Sequence, residues 1–160
     1  MPTAPIALFV YNRPKHTRQT LEALQANALA NQSDLFVFCD GPKDNARPEA
    51  LEAITEVRSL VKAKPWCKTV TIYESKTNKG LAESIIEGVS QTVNQFGKII
   101  VLEDDIVTSK GFLRYMNEAL NLYEQEDKVM HIGSYLPYTN SYKKIPETFL
   151  SRFMSCWGWA

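Results

Sequence analysis

Three consecutive carboxylates are the sharpest chemical feature of the sequence. Glu103, Asp104 and Asp105 directly follow an apolar run at residues 99–102, which is typical of a buried strand. Carboxylates this close repel one another unless a positive charge lies nearby. Mn²⁺ or Mg²⁺ would supply that charge, because such ions favour one or two protein carboxylates completed by phosphate oxygens and water. Asp105 would then hold the metal while its two neighbours accept hydrogen bonds from ribose or sugar hydroxyls; the alternative is an acidic loop that faces solvent.

Polar side chains follow the other apolar runs as well. Asn12 and Arg13 come after the first run, Asp40 after the second, and Asn78 and Lys79 after the third. The planar guanidinium of Arg13 suits a phosphate or a base, or it is an exposed helix-start residue. Asp40 suits a base imide N–H or a ribose hydroxyl, or it opens an Asx turn. Asn78 and Lys79 precede a glycine in a tight turn that would bring backbone and a cation close to a diphosphate, unless it is a bare turn.

Alternating strands and helices must position these side chains. The predicted strands cover residues 6–11, 35–39, 70–73 and 99–102, with a fifth at 129–132. Apolar stripes at helical spacing separate them; Pro14 begins the first helix, Gly97 ends the third and Ser109 caps the fourth. Strand–helix alternation predicts an α/β fold, a three-layer α/β/α sandwich with a mainly parallel, Rossmann-like sheet. The carboxyl ends of such strands share one edge, where open sheets bind ligands.

Composition bounds the remaining possibilities. The chain has 160 residues, of which 44% are apolar and 22% charged, and its formal net charge is zero. This predicts one globular domain, residues 1–160, and excludes nucleic-acid binding driven by bulk charge. The longest apolar run, residues 6–11, is far shorter than the roughly 20 residues of a membrane helix. The first residues lack the basic region and the longer apolar stretch that are typical of a signal peptide. We therefore expect a cytoplasmic protein, or one peripheral to the inner membrane face.

Several familiar site patterns are absent from the sequence. It has no Gly-x-Gly-x-x-Gly fingerprint and no phosphate-binding loop of the Gly-x-x-x-x-Gly-Lys-Ser type. His16 and His131 share no ligand spacing with cysteine, and His131 is expected at the core or the sheet edge. The three cysteines are widely spaced and read as reduced thiols, Cys39, Cys67 and Cys156.

The last 28 residues lose the alternating pattern. An irregular or hairpin segment is predicted after Gly133, and the sequence stops shortly after Trp157 and Trp159 with no polar tail. Chain ends normally lie in solvent. We expect the chain to be the N-terminal part of a longer protein; the alternative is a natural end that tucks its aromatic side chains onto the sheet.

The same residues resemble a known family. Residues 6–13, 35–41, 78–81 and 99–105 look like the nucleotide-sugar-binding half of GT-A fold glycosyltransferases. Glu-Asp-Asp at 103–105 resembles the variant Asp-x-Asp motif of the N-acetylglucosaminyltransferase I-like enzymes. Residues 98–112, followed by Tyr115, resemble the motif of those enzymes together with its downstream helix. Residues 149–159 look like a later segment of that family, and residues 10–13 resemble family 2 bacterial transferases.

The resemblance implies roles for particular residues. Asp105 would ligate the Mn²⁺ (or Mg²⁺) that bridges the diphosphate of a UDP-sugar donor, with Glu103 and Asp104 beside the ribose and the transferred sugar. Arg13 and Asp40 would contact the uridine. The full implied donor-binding set is Tyr11, Asn12, Arg13, Asp40, Asn78, Lys79, Glu103 and Asp104.

The implied reaction is sugar transfer to a hydroxyl of a glycan, lipid-linked or protein acceptor. No residue is assigned as the catalytic base, which is expected beyond Ala160, and the sugar and stereochemistry stay open. Two alternatives stay open as well: a catalytically incomplete nucleotide-binding module, and a receiver-like domain that binds Mg²⁺. A receiver would need an acidic pair after the first strand, where this chain has Asn12 and Arg13.

Overall fold

The computed structural model describes residues 2–136 and 148–160. The strands are β1 (Ile6–Val10), β2 (Asp34–Cys39), β3 (Thr69–Glu74) and β4 (Ile100–Glu103); the helices are α1 (Pro14–Gln25), α2 (Pro48–Lys62), α3 (Leu81–Phe96) and α4 (Phe112–Leu122), with a short 3₁₀ helix at Ala30–Gln32. Pro14 begins α1 and Gly97 ends α3 in the left-handed conformation, φ 77°, as predicted.

The strands form one parallel sheet in the order β3-β2-β1-β4. Ile6 of β1 lies opposite Leu35 of β2 on one side and Ile100 of β4 on the other. The chain proceeds from β1 outward to β3 and then crosses back to place β4 on the opposite side of β1. Strand order therefore reverses between β1 and β4, and a crevice for a ligand is expected beyond their carboxyl ends.

Helices cover both faces of the sheet, which confirms the predicted three-layer α/β/α fold. On one face, Leu21 of α1, Val57 of α2 and Met116 of α4 pack against β1, β2 and β4. On the other face, Ile85 and Val89 of α3 pack against the strands. The outer strand β3 is mostly exposed, as its polar sequence predicts.

A glycine lets α3 lie close to the sheet. A Cβ at Gly88 would lie 2.8 Å from Cε1 of Phe9 and 3.1 Å from Cε1 of Phe38, whose rings stack with centroids 5.0 Å apart. Phe9 is buried, so its ring has little room to shift.

We expect Gly88→Ala to destabilise the protein. Overpacking costs roughly 1–3 kcal/mol and outweighs the helix propensity gained, about 1 kcal/mol. Urea unfolding would show a lower midpoint with an unchanged slope. Gly111→Ala is the matched control, because a Cβ there meets no atom within 4 Å. Equal stability of the two variants would contradict this account of α3 packing.

Three predicted details are wrong or fall outside the described residues. Residues 129–132 form no strand; Ile132 and Ala160 instead exchange two backbone hydrogen bonds, and Trp159 bridges Val101 and Gly133. Met130 is exposed, so this run lacks the continuous burial of β1. Ser109 does not cap α4 through its side chain, because the helix starts one turn later, at Phe112. The irregular segment predicted after Gly133 falls largely on residues 137–147, which lie outside the described residues.

The structure agrees with two further expectations. Cys39, Cys67 and Cys156 are free thiols, and burial raises the pKa of Cys39 and Cys67 to about 12. Within the described part of the chain, no helix is long and apolar enough to cross a bilayer.

Candidate functional site

Loops at the carboxyl ends of the strands enclose a cleft of ≈ 320 Å³. Its lining comprises Phe9, Val10, Tyr11, Arg13, Phe38, Asp40, Lys43, Asn78, Gly80, Leu81, Ser84, Glu103 and Asp104. Six of the nine predicted site residues therefore meet there, as the convergence of strand ends predicts. Asn12, Lys79 and Asp105 are not part of this lining, although Asp105 and Lys79 bond to residues that are.

The guanidinium of Arg13 bridges two residues of the acidic motif. Its Nη2 donates to Oδ1 of Asp104, and its Nη1 donates to Oδ2 of Asp105 at 3.0 Å. The sequence predicts that Arg13 contacts the nucleotide and that a metal ion supplies the neutralising charge. In the structure Arg13 itself lies against the carboxylates, so the loop after β1 supplies part of the charge that the loop after β4 requires.

The three carboxylates differ in how far their side chains are buried. The side chain of Asp104 is only 4% exposed, whereas that of Asp105 is 36% exposed. Burial raises the pKa of Asp104 above its ordinary value, although Arg13 and the backbone amide of Tyr11 favour its ionised form. Burial, and then the charges of Asp105 and Asp104, raises the pKa of Glu103.

Arg13 responds in the complementary direction. Although burial opposes its charge, the hydrogen bonds and charges of Asp104 and Asp105 raise the pKa of Arg13 above its ordinary value. One guanidinium faces three carboxylates, so the ionised motif keeps an excess of negative charge. That excess makes the motif attractive to a cation.

The donor set fits an ion that arrives with a phosphate ligand. Among residues 2–136 and 148–160, no three side chains of the metal-ligating types converge. An all-protein cage is therefore absent there. Mg²⁺ and Mn²⁺ are commonly held by one or two carboxylates plus substrate phosphates. Asp105, a hard oxygen ligand at the exposed end of the motif, suits that arrangement, and its role as the metal ligand stays a prediction.

Asp40 organises the loop that follows β3. Its Oδ1 accepts hydrogen bonds from the amides of Gly41 and Lys79, each at 2.8 Å. Its Oδ2 accepts from the amide of Gly80 at 3.0 Å and from Nδ2 of Asn78 at 2.9 Å. A carboxylate has about four lone-pair sites, and these four bonds use them. Asp40 does not form an Asx turn, because the residue two positions on is Pro42, which has no amide N–H to donate. The predicted contact with uridine would require Asp40 to give up one of these bonds.

The loop after β2 and the loop after β3 also touch through their backbones. We call this contact the Asp40 clasp: residues 40–42 against residues 75–80. A Cβ at Gly41 would lie 2.5 Å from the carbonyl carbon of Thr77, so only glycine fits there. Asn78 donates its backbone amide to Pro42 and its side-chain amide to Gly41, both at 3.0 Å. The predicted tight turn is therefore held against the end of β2.

Lys79 takes part in the clasp through its backbone and not through its charge. Its ammonium donates a hydrogen bond to the carboxylate of Glu87 in α3, and this bond raises the pKa of Lys79. The expected cation beside a diphosphate is thus paired along α3 in the structure. The turn nevertheless brings backbone to the cleft, because Gly80 lines it.

Sequence reasoning missed three residues around the site. Lys43 lines the cleft from the loop after β2. Arg58 of α2 donates Nη2 to the carbonyl of Ser75 at 2.6 Å and thereby braces the clasp. Thr20, buried in α1, donates its hydroxyl to the carbonyl of Asp104 at 3.0 Å. A polar residue on the apolar face of α1 was the available signal for Thr20, whereas nothing in the sequence distinguishes Lys43 or Arg58 from surface cations.

The two tryptophans near position 160 differ in their surroundings. Trp159 packs against the α3 face of the sheet and stacks on half-buried His131, with centroids 5.5 Å apart. His131 thus lies at the sheet edge, as expected. Trp157 is exposed and stacks on Tyr135 at 5.1 Å. Packing against the sheet therefore describes Trp159 and not Trp157.

Two solved structures are similar to this chain. The mannosyltransferase PcManGT from Pyrobaculum calidifontis, in complex with GDP-Man and Mn²⁺, aligns with a TM-score of 0.52 and 11% identity over 84% of this chain and 36% of that one. TarS of S. aureus aligns with a TM-score of 0.46 and 16% identity over 75% of this chain and 20% of that one. The chain thus spans about a third and a fifth of these proteins. The PcManGT likeness supports the GT-A fold.

Comparison at the level of sequence is more specific. No curated protein matches the chain. The family model for glycosyl transferase family 2, in contrast, matches residues 6–155, which include β1 to β4, α1 to α4 and the residues that line the cleft. The chain therefore belongs to glycosyl transferase family 2.

Proposed function

We propose that this chain is the donor-binding part of a metal-dependent glycosyltransferase that moves a sugar from a nucleotide-diphosphate donor to a hydroxyl acceptor. The observation that carries the proposal is the cleft at the reversal of strand order, into which Arg13, Glu103 and Asp104 converge. The family supports it, and so does the neighbour solved with GDP-Man and Mn²⁺. The acceptor is a hydroxyl of a glycan, a lipid-linked sugar or a protein.

We further propose a UDP-sugar as the donor and Mn²⁺ or Mg²⁺ as the ion. Asp105 would hold the ion together with the donor's diphosphate, and the bound ion would stabilise the negative charge of the departing diphosphate. Asp104 and Glu103 would accept hydrogen bonds from ribose and sugar hydroxyls. The Asp40 clasp would keep one wall of the cleft fixed beside the nucleotide.

The catalytic base is proposed to lie outside this chain, in a following portion of a longer protein. The chain covers 36% of PcManGT and 20% of TarS, which is consistent with a larger whole. Under this proposal the isolated chain binds donor but transfers little sugar. The alternative of a catalytically incomplete nucleotide-binding module shares the same cleft, and sugar transfer by the full-length protein separates the two.

Calorimetric titration of nucleotide tests the donor site directly. We expect UDP to bind in the presence of Mn²⁺. EDTA should weaken that binding by about tenfold or more, because the ion it removes is held jointly by a protein carboxylate and the diphosphate of the nucleotide. GDP, titrated in parallel, reports the base preference. Failure of the folded full-length protein to bind either nucleotide would contradict the proposal, as would binding that EDTA leaves unchanged.

A further inference from the structure

We propose that Arg13 is the resident counter-ion of the acidic motif, and that it releases Asp105 to the divalent ion when donor binds. The inference rests on the proposed function, because the ion in question is the one that accompanies the donor. It gives Arg13 a positioning role that differs from a contact with the nucleotide alone.

The two ion pairs of Arg13 are unequal. Asp104 is buried, and its backbone carbonyl accepts the hydroxyl of Thr20 at 3.0 Å, so this residue is fixed on both sides. The pair with Asp105 joins a side chain that is 36% exposed to a guanidinium that is 44% exposed. Exposed pairs contribute little stability, whereas breaking a buried pair is costly. Asp105 is therefore the partner that Arg13 can release.

The guanidinium and a metal ion compete for the same oxygens. Nη1 of Arg13 donates to Oδ2 of Asp105, the carboxylate proposed as the metal ligand. A divalent ion arriving without nucleotide would meet a full positive charge at that carboxylate. An ion arriving with a diphosphate would bring negative charge, toward which the released Nη1 can turn while Nη2 stays on Asp104.

This geometry predicts effects of opposite sign from a single substitution. In Arg13→Gln, we expect Mn²⁺ alone to bind about tenfold more tightly, because one positive charge has been removed a few ångströms from the ion. We expect UDP with Mn²⁺ to bind about fivefold more weakly, because a charged hydrogen-bond donor to the diphosphate is lost. A residue with a purely structural role would weaken both. Arg13→Lys keeps the charge but loses the fork, so its Mn²⁺ affinity should change by less than that of Arg13→Gln.

The measurement is the free Mn²⁺ signal in electron paramagnetic resonance, recorded with and without UDP on the full-length protein. Arg18→Gln is the matched control, since Arg18 is an exposed residue of α1, the helix that follows Arg13. Mn²⁺ affinity that stays equal or falls in Arg13→Gln would overturn the proposal. If Arg13→Gln does not fold, the same reading is taken from Arg13→Met, which also removes the charge; a Mn²⁺ affinity that stays equal or falls in that variant overturns the proposal.

The two measurements, Mn²⁺ binding by the variant and UDP binding by the wild type, test this inference and the proposed function separately. Tighter Mn²⁺ binding by Arg13→Gln, together with no UDP binding by the wild type, would support the counter-ion role and reject the donor site. Normal UDP binding by the wild type, with unchanged Mn²⁺ affinity in the variant, would do the reverse.

Discussion

Replacing Asp40 with alanine is expected to lower the free energy of unfolding by about 3–5 kcal/mol. The substitution removes the acceptor of four hydrogen bonds, three of them from the backbone amides of Gly41, Lys79 and Gly80. Gly41 is buried, so its amide loses its partner without gaining water, while the other donors are only partly shielded. Denaturant unfolding followed by circular dichroism would measure the loss.

Asp44→Ala is the matched control, because Asp44 is an exposed carboxylate on the same loop. It should leave stability within about 0.5 kcal/mol of the wild type. Asp40→Asn should fall between the two, since an amide keeps one acceptor oxygen but turns the other into a donor facing donors. A wild-type unfolding midpoint for Asp40→Ala would show that the clasp does not depend on this carboxylate.

Replacing Asp105 with asparagine is expected to reduce sugar transfer by the full-length protein by about a hundredfold or more. An amide oxygen is a much weaker ligand for a divalent ion than a carboxylate oxygen. Stability should change little, because Asp105 is partly exposed and its pair with Arg13 lies at the surface. The assay follows nucleotide release at increasing Mn²⁺, and UDP–Mn²⁺ binding by the variant gives the second reading.

Asp127→Asn controls for the loss of one surface charge, because Asp127 is exposed in the turn after α4. Raising Mn²⁺ should restore part of the activity of Asp105→Asn if the defect lies in ion affinity. Activity of Asp105→Asn equal to that of Asp127→Asn would remove Asp105 from the metal site and shift attention to Asp104 and Glu103.

The layers of the fold were predictable because burial acts over whole segments. The polar strand β3 is mostly exposed, whereas β2 is buried at alternate positions and the apolar runs that became β1 and β4 are almost entirely buried. Residues 129–132 have a similar composition, yet Ile132 bonds to Ala160, 28 positions later. A backbone partner that distant leaves no local signal, since strand pairing is decided by tertiary context. The cap at Ser109 fails for a related reason: the loop after β4 runs one turn further before α4 begins.

The sequence was enough to predict which residues meet at the site. It was not enough to predict which of them form hydrogen bonds or ion pairs with one another. Parallel strands with helices between them bring residues 13, 40 and 104 to one cleft, and this follows from topology. The pairing of Arg13 with the acidic motif joins residues about 90 positions apart, and it depends on β1 lying directly beside β4. The saturation of Asp40 depends equally on the path of the loop after β3. Such contacts are set by geometry that spacing along the chain does not encode.

The Asp40 clasp has a consequence for the speed and cost of ligand capture. A wall tied by side-chain and backbone hydrogen bonds, and closed by a glycine that admits no Cβ, is already in its bound shape when the ligand arrives. Little conformational entropy remains to be lost on that side, so more of the contact energy is retained as affinity. On the opposite rim, the half-exposed side chains of Arg13 and Asp105 are the groups that move instead. Encounter with ligand should therefore require side-chain rotation, a nanosecond event, and no slower ordering of a loop.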